Sequence, residues 1–267
     1  MRFTPSQQSS IRLLGLTLLA GAALAFSGGS ADAKDKKGGG EPFGVADLFI
    51  ELNDTDGDLG LQSLIDGDAW TQLDIADSKG KKILQARLSR NLAKQGLNEL
   101  FFESAEPSFD ELSPDEFFKR FPAGTYKVSA RKVGGGSLAS STEVTHVLPA
   151  PAGNIAVNGQ PTPASCDEGE KPVVSSPVQV TWDAVTTSHP EIGAADPNIE
   201  VTAYELVAEI DETPFRATGI LPSSVTSFLV PDEILSLGDE VKLEVGVNEA
   251  SGNRTVSETC FTVGNPA

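Results

Sequence analysis

Acidic side chains occupy alternate positions in one short stretch of this chain, and that spacing suits the coordination of a hard cation. The stretch reads Asn53-Asp54-Thr55-Asp56-Gly57-Asp58. Alternate side chains of a tight loop point to the same side, and Ca²⁺ takes about six to eight oxygen ligands. The spacing therefore predicts a calcium site whose ligands are Asn53, Asp54, Asp56 and Asp58, with Asp66 from the next turn.

The same stretch has a second interpretation as an ordinary β-hairpin turn. Asp56-Gly57 is a frequent pair in two-residue hairpin turns, because glycine adopts positive φ without strain. The stretch is not an EF-hand loop. Counted from Asp54, Leu59 stands where that loop needs glycine and Ile65 stands where it needs glutamate. A plain turn and a calcium-stabilised turn both stay open at this point.

A second acidic run, ESAEPSFDELSPDE over residues 103–116, raises the question of catalysis. Glycoside hydrolysis needs two carboxylates at a fixed separation, and nothing in the run fixes such a pair. His146 and His189 lie in different predicted domains, and the chain has no G-x-S-x-G, H-E-x-x-H or phosphate-loop motif. We therefore predict a non-enzymatic protein, with a hydrolase of an extracellular polymer, or an accessory module of one, as the alternative.

The N-terminal residues have the pattern of an export signal. Arg2 and Arg12 precede an apolar run at 13–26, and Ala31-Asp32-Ala33 supplies the small residues that signal peptidase accepts. A run of about 14 residues is short for a helix that must cross roughly 30 Å of hydrocarbon. We predict a signal peptide over 1–33, a flexible leader over 34–42, and a secreted or periplasmic protein.

Cysteine content and charge narrow the class of protein further. Cys166 and Cys260 are the only cysteines, and an even number in an exported chain predicts a disulfide bond between them. Removal of residues 1–33 leaves 234 residues and changes the net charge from −18 to −19. Such a charge disfavours nucleic acid and anionic membranes, and no later apolar run indicates membrane insertion. The expected partner is a protein or an extracellular polymer.

Short apolar alternations predict an all-β chain with two tandem β-sandwich domains. The first sandwich covers 43–148 and has a short helical insertion, the segment 149–165 is a predicted linker, and the second sandwich covers 166–264. The predicted strands are 47–53, 60–65, 70–75, 97–103, 124–133 and 141–148 in the first domain, and 178–182, 201–210, 226–230, 241–247 and 256–263 in the second. Residues 82–88 fit a strand or a helix, and we favour a strand. Ser113-Pro114-Asp115-Glu116 predicts a capped helix start.

The second domain resembles a fibronectin type III domain. Trp182 on its second strand, Tyr204 on its third and the segment 247–253 match that family, although the tyrosine that usually follows a Leu-x-Pro-Gly turn is missing before Val241. The phrase Phe121-Pro122-Ala123-Gly124-Thr125-Tyr126 resembles the late strands of immunoglobulin-like domains. These resemblances imply sandwich scaffolds for spacing or binding, and they imply no activity.

Overall fold

The computed structural model describes residues 39–210 and 213–264. The predicted signal peptide and most of the predicted leader lie outside the described residues. The described residues form one compact unit. Its described part contains two hydrophobic cores, one formed within the first predicted sandwich and one within the second.

Within the described residues the chain forms fifteen strands and three helices. In chain order they are β1 (Val45–Asn53), β2 (Asp58–Ala76), β3 (Lys82–Arg87), α1 (Arg90–Gln95), β4 (Leu97–Glu103), α2 (Pro114–Arg120), β5 (Gly124–Lys132), β6 (Ser137–Val144), β7 (Ala156–Val157), β8 (Gln160–Pro161), β9 (Val173–Val174), β10 (Val178–Thr181), β11 (Val201–Ile210), β12 (Arg216–Pro222), β13 (Ser227–Val230), α3 (Asp232–Leu235), β14 (Glu240–Glu249) and β15 (Arg254–Val263). The prediction of an all-β fold with two sandwiches is confirmed. No described helix has the length and apolar character needed to cross a membrane.

The first sandwich is organised by β2, which is 19 residues long. Its first part pairs with β1 and β4, and its second part pairs with β3 and β5. The prediction of two strands at 60–65 and 70–75 was wrong. The ladders with β4 and β5 shift register between Asp66 and Gln72, so the strand changes partners through an irregular stretch and continues without a turn.

The immunoglobulin-like phrase in the first sandwich forms a contact that the sequence analysis did not predict. Tyr126 is fully buried, and its hydroxyl donates a hydrogen bond of 3.0 Å to the carbonyl oxygen of Pro122. A tyrosine that bonds back to the backbone a few residues upstream is the corner feature of such sandwiches. The corner missing from the second domain is therefore present in the first.

Two predictions for the short helices had mixed outcomes. Residues 82–87 are a strand, as favoured, but a helix starts soon after, at Arg90. α2 begins at Pro114 as predicted and buries Phe117. The Ser113 side chain makes no capping hydrogen bond, so the predicted capping box was wrong.

The second sandwich places β12, β11, β14 and β15 in one sheet and β13, β10, β7 and β8 in the other. Tyr204 packs edge-on against Trp182 at 5.4 Å between ring centroids, and its hydroxyl accepts a hydrogen bond from the Val185 amide. Within the segment 149–165, Ala152 and Val157 are buried in this core. Sequence analysis missed β12, because an edge strand with exposed side chains lacks a clear apolar alternation.

The predicted disulfide between Cys166 and Cys260 is confirmed, and it joins residues 94 positions apart. β9 pairs in parallel with the end of β15, the strand that carries Cys260. The bond therefore ties the start of the second predicted domain to its last strand.

The two sandwiches share a continuous sheet, which the sequence did not predict. β1 of the first sandwich pairs in parallel with β15 of the second, with Glu51 opposite Arg254 and Asn53 opposite Val256. The strand order β12-β11-β14-β15-β1-β2-β5-β6 runs through both sandwiches. This pairing brings together side chains that lie about 200 positions apart in sequence.

Candidate functional site at the junction of the two sandwiches

The predicted calcium turn lies against strand β15 of the second sandwich. The Asp54 amide donates to the Val256 carbonyl oxygen at 2.9 Å. The Glu258 amide donates to the Thr55 hydroxyl at 2.9 Å. The Asn53 side-chain amide donates to the Glu258 carboxylate at 2.9 Å. The turn therefore docks the first sandwich onto the second.

The turn itself is built around Asn53. Its side-chain oxygen accepts hydrogen bonds from the amides of Thr55 and Asp56, each at 3.1 Å. Its carbonyl oxygen accepts from the Gly57 amide at 2.9 Å, and Gly57 has a φ of +67°. Four residues separate β1 from β2, so the hairpin is confirmed and the two-residue turn type is not.

Asp54 is engaged by a histidine of the second sandwich. Its Oδ1 lies 3.0 Å from Nε2 of His189, whose ring is buried. The other ring nitrogen, Nδ1, accepts hydrogen bonds from the amides of Glu191 at 3.1 Å and Ile192 at 2.9 Å. Because Nδ1 accepts these two hydrogen bonds, the ring hydrogen is on Nε2, and the Nε2–H group donates a hydrogen bond to Asp54.

Of the remaining predicted calcium ligands, Asp56 lies beside Asn53, whose side-chain nitrogen is 3.5 Å from Oδ2 of Asp56. Asp56 is exposed, Asp58 is buried, and Asp66 lies farther along β2, opposite Val45. Across residues 39–210 and 213–264, no group of three or more Asp, Glu, His or Cys side chains is placed to hold a metal ion. Calcium binding by Asn53, Asp54, Asp56, Asp58 and Asp66 stays a prediction.

Asn253 makes a buried polar contact between the sandwiches, and sequence analysis did not identify it. Its side chain is 1% exposed. Its Oδ1 accepts from the Ile50 amide at 2.8 Å. Its Nδ2 donates to the Val147 carbonyl oxygen at 2.7 Å and to the Thr145 hydroxyl at 2.9 Å. The side-chain oxygen and nitrogen of Asn253 therefore both bond to the first sandwich or to residues directly after it.

Arg254 makes the neighbouring charged contact. Its guanidinium bonds to Glu51 and to Gln62 of the first sandwich and to Glu205 of the second, the last at 3.1 Å. Burial lowers the pKa of Arg254 to about 10. Burial also disfavours the charged form of Glu205 and so raises its pKa, and the nearby Glu244 carboxylate raises it further. Arg254 and its partners are all removed from water. Loss of any one partner would leave a buried charge uncompensated and would destabilise the junction.

The sequence held one formal signal at these positions, and it pointed elsewhere. Asn253-Arg254-Thr255 has the pattern of an N-glycosylation acceptor. Because the Asn253 side chain is buried and bonded at both ends, a glycan cannot be attached to it in the folded protein. No local pattern marks a residue whose partners are more than 100 positions away.

The acidic run 103–116 contains one unusual pair. The Glu106 carboxyl hydrogen-bonds to Glu103, and its Oε1 is completely buried with no hydrogen-bond partner among the described residues. That oxygen lies 1.9 Å from the position a Cβ on residue 60 would take, so a larger residue there would displace the Glu106 carboxyl. Burial, followed by the charges of Glu103 and Asp58, raises the pKa of Glu106 to about 8. Glu106 is therefore protonated at neutral pH and donates to Glu103.

This pair does not have the geometry of a glycosidase. The two carboxyl groups of such enzymes stand about 5 to 9.5 Å apart to flank a sugar, whereas Glu103 and Glu106 share a hydrogen bond. The shallow groove lined by Gln72, Asp74 and Arg131 lies on β2 and β5, away from the run. The contacts of the run are those of a packed loop.

Comparison with known proteins found only distant structural similarity. No protein-family model matches this chain, and no curated protein matches it. Among solved structures, a tetra-tandem repeat in the extending region of a large adhesion protein is 12% identical, with a TM-score of 0.28 over 82% of this chain and 50% of that one. The chicken CNTN1 FN1-FN3 domains are 13% identical, with a TM-score of 0.32 over 85% of this chain and 69% of that one. A two-domain fibronectin type III segment of chicken tenascin is 14% identical, with a TM-score of 0.24 over 83% of this chain and 99% of that one.

Two of these neighbours are fibronectin type III segments. This chain spans half the length of the adhesion-protein repeat. Such low identities and TM-scores say nothing of its activity or partners.

Substitution of Glu106 by Gln tests the buried carboxyl pair. The folded state raises the pKa of Glu106 from its ordinary value of 4.5 to about 8. The protonated carboxyl therefore contributes its full stability below pH 4.5, and this contribution is lost as the pH rises through about 8. We expect Glu106→Gln to flatten this loss and to raise the free energy of unfolding at pH 8.5 by about 1 kcal/mol, a figure reduced for partial exposure of the carboxyl. Urea unfolding at pH 5 and pH 8.5 measures it.

The matched control is Glu99→Gln on the exposed face of β4, which should change stability equally at both pH values. An equal effect of Glu106→Gln at pH 5 and pH 8.5 would contradict the protonated pair.

The calcium prediction is tested by thermal unfolding in EDTA, in millimolar calcium and in millimolar magnesium. A ligand that binds only the folded chain raises Tm, by about 2.7 kcal/mol of stability at a hundredfold excess over Kd. Calcium binding by the turn predicts a calcium-selective rise that disappears in Asp54→Ala/Asp56→Ala. The same Tm in all three solutions would leave the segment as a docking turn alone.

Proposed function

We propose that this chain is an exported structural and binding module that presents the surfaces of two coupled β-sandwiches to a protein or an extracellular polymer. The observation that carries the proposal is the buried polar junction formed by Asn253 and Arg254. A scaffold that holds two surfaces at a fixed spacing needs its domains coupled, and this junction couples them.

The junction supports rigidity because it is polar and buried. Movement of one sandwich against the other would leave the Asn253 side chain or the Ile50 amide without a partner, away from water. An unpaired buried polar group costs about 1–3 kcal/mol, and more where a charge such as that of Arg254 is involved. Parallel backbone pairing of β1 with β15 adds to the same constraint.

Export is supported by the signal pattern over 1–33 and by the disulfide. Disulfides persist in oxidising compartments and are rare in the cytosol. The net charge of −19 after removal of residues 1–33 favours solubility. The hydrolase alternative draws no support from the hydrogen-bonded, covered pair of Glu103 and Glu106.

Coupling of the sandwiches is testable because each core contains one of the two tryptophans. Trp70 lies in the first core and Trp182 in the second. Neither indole N–H has a hydrogen-bond partner among the described residues, so substitution by Phe breaks no hydrogen bond. Trp182→Phe therefore reports the first core by fluorescence, and Trp70→Phe reports the second.

In urea, we expect the fluorescence midpoint of each variant to coincide with the far-UV circular dichroism midpoint of the same variant. Adding Asn253→Asp should separate the fluorescence midpoint of each variant from its circular dichroism midpoint and destabilise the chain by about 2–4 kcal/mol. The new carboxylate oxygen faces carbonyl oxygens where Nδ2 donated. Asn91→Asp, on an exposed site, is the matched control. A fluorescence midpoint that already differs from the circular dichroism midpoint of the same variant, without Asn253→Asp, would overturn the coupled scaffold.

Export is tested by expression of the whole chain in a bacterial host. We expect the protein outside the cytoplasm to begin near Lys34 and to contain no free thiol at Cys166 or Cys260. Ala31→Leu/Ala33→Leu should retain the uncut chain, because signal peptidase needs small residues there. An uncut wild-type chain with two free thiols in the cytoplasm would contradict export.

A further inference from the structure

One segment of this acidic chain is strongly basic. Between Ser78 and Gly96 there are six Lys and Arg residues and no Asp or Glu. We call these side chains the basic edge: Lys79, Lys81, Lys82, Arg87, Arg90 and Lys94. All six are exposed. Lys79 and Lys81 come just before β3, Lys82 and Arg87 lie on it, and Arg90 and Lys94 lie on the short helix α1. β3 is an edge strand, which pairs only with β2 among the described strands.

The charges of the basic edge are largely unneutralised. Of the six, only Lys82 forms a salt bridge within the described part of the chain, to Asp74 at 3.1 Å. Arg87 donates to the neutral side chain of Gln72. The apolar side chain of Leu92 lies among them and is 46% exposed.

A complementary surface lies at one end of the second sandwich. Two segments, 167–171 and 232–240, meet around the end of β15. Thr262 donates its amide to the Pro172 carbonyl oxygen, and Val263 donates its amide to that of Asp239. We call the carboxylates of these segments the acidic end: Asp167, Glu168, Glu170, Asp232, Glu233, Asp239 and Glu240.

The acidic end is exposed and has little cationic compensation. Lys171, bonded to Glu240, is the one Lys or Arg in the two segments. Leu237 and Val173 lie with these carboxylates and are 49% and 39% exposed. Overall, residues 149–264 carry 18 Asp and Glu against 4 Lys and Arg, so the second half holds most of the excess negative charge.

We propose that the basic edge of one copy docks on the acidic end of a second copy. Each surface joins charged side chains of one sign to exposed apolar ones, and the two surfaces have opposite sign. They lie in different sandwiches of the same chain, so the contact is heterologous. Every docked copy therefore still offers one free surface of each kind, and association continues head to tail. This inference is independent of the proposed export and of any outside partner.

Net repulsion between two copies does not forbid this contact. The Debye length is about 8 Å at physiological ionic strength, so charges remote from the interface are screened while facing charges are not. Lysines on an edge strand also have a second role, which is to keep other strands from pairing there. That role alone predicts a monomer at every salt concentration.

The test is sedimentation velocity of the exported chain in EDTA, over a range of concentrations, in 0.1 M and 1 M NaCl. We expect the mean mass to rise with concentration at the lower salt and to return to the monomer at the higher. Reversal of three exposed charges of the basic edge that make no salt bridge among the described residues, Lys79→Glu/Lys81→Glu/Arg90→Glu, should weaken association about tenfold or more. The control with the same charge change is Lys119→Glu/Arg120→Glu/Lys127→Glu, which should associate as the wild type does.

A charge swap makes the test specific. Glu168→Lys/Glu170→Lys/Glu233→Lys should weaken association to the same extent, since both surfaces of that variant are then basic. An equal mixture of the two reversed variants should associate again, because each variant then meets a surface of opposite charge. Circular dichroism of each variant alone confirms that it is folded.

Three results would overturn the proposal. A monomer at both salt concentrations assigns the lysines to edge protection. Association that survives both reversals, or a mixture that does not associate, places the contact elsewhere. A monomer that binds dextran sulfate through the basic edge, with binding lost in its reversed variant, assigns this surface to an anionic polymer.

Discussion

The buried side chain of Asn253 is the contact on which the arrangement of this molecule depends. Its amide oxygen takes the Ile50 amide and its amide nitrogen serves backbone carbonyls at the end of the first sandwich. Asparagine is suited to this position because it is both donor and acceptor on one short, neutral group. A carboxylate, an apolar side chain or a rotated amide would leave at least one buried backbone group unpaired.

Other features of the junction follow from that contact. Asn253 fixes the start of β15, and β15 then pairs along β1 and receives the turn that follows β1. Arg254, the next residue, is placed between the carboxylates of Glu51 and Glu205 from the two sandwiches. The aspartate-rich turn therefore has a structural use that requires no ion, since Asn53, Asp54 and Thr55 each bond to the second sandwich.

The excess of acidic residues shapes the interior as well as the surface. Burial raises the pKa of Glu106, Glu205 and Glu244, which lie on or against the sheet. The chain accommodates buried carboxyl groups in two ways. Glu205 pairs with the guanidinium of Arg254, whereas Glu106 keeps its proton and donates a hydrogen bond to Glu103. Six positive charges lie together on the basic edge, in a stretch of the sequence that contains no Asp or Glu.

The sequence by itself determined the local structure. Alternation predicted β1, β11, β14 and β15 within a few residues, because one face of each strand must be apolar to pack on a core. The two cysteines predicted the disulfide. The phrase around Tyr126 resembled the late strands of immunoglobulin-like domains, but the hydrogen bond from Tyr126 to Pro122 was seen only in the structure. The cation site was placed by spacing alone, and spacing does not say where Asp58 and Asp66 point once β2 runs straight through.

Tertiary structure alone decided how the two sandwiches are joined and what the acidic turn contacts. The pairing of β1 with β15, the burial of Asn253 and the bond from Asp54 to His189 join residues 135 to 203 positions apart. No local period or propensity encodes such contacts, because each depends on both sandwiches being folded and placed. The physical reason is that periodicity reports which face of a strand is buried, whereas a single polar side chain reveals its partner only in three dimensions.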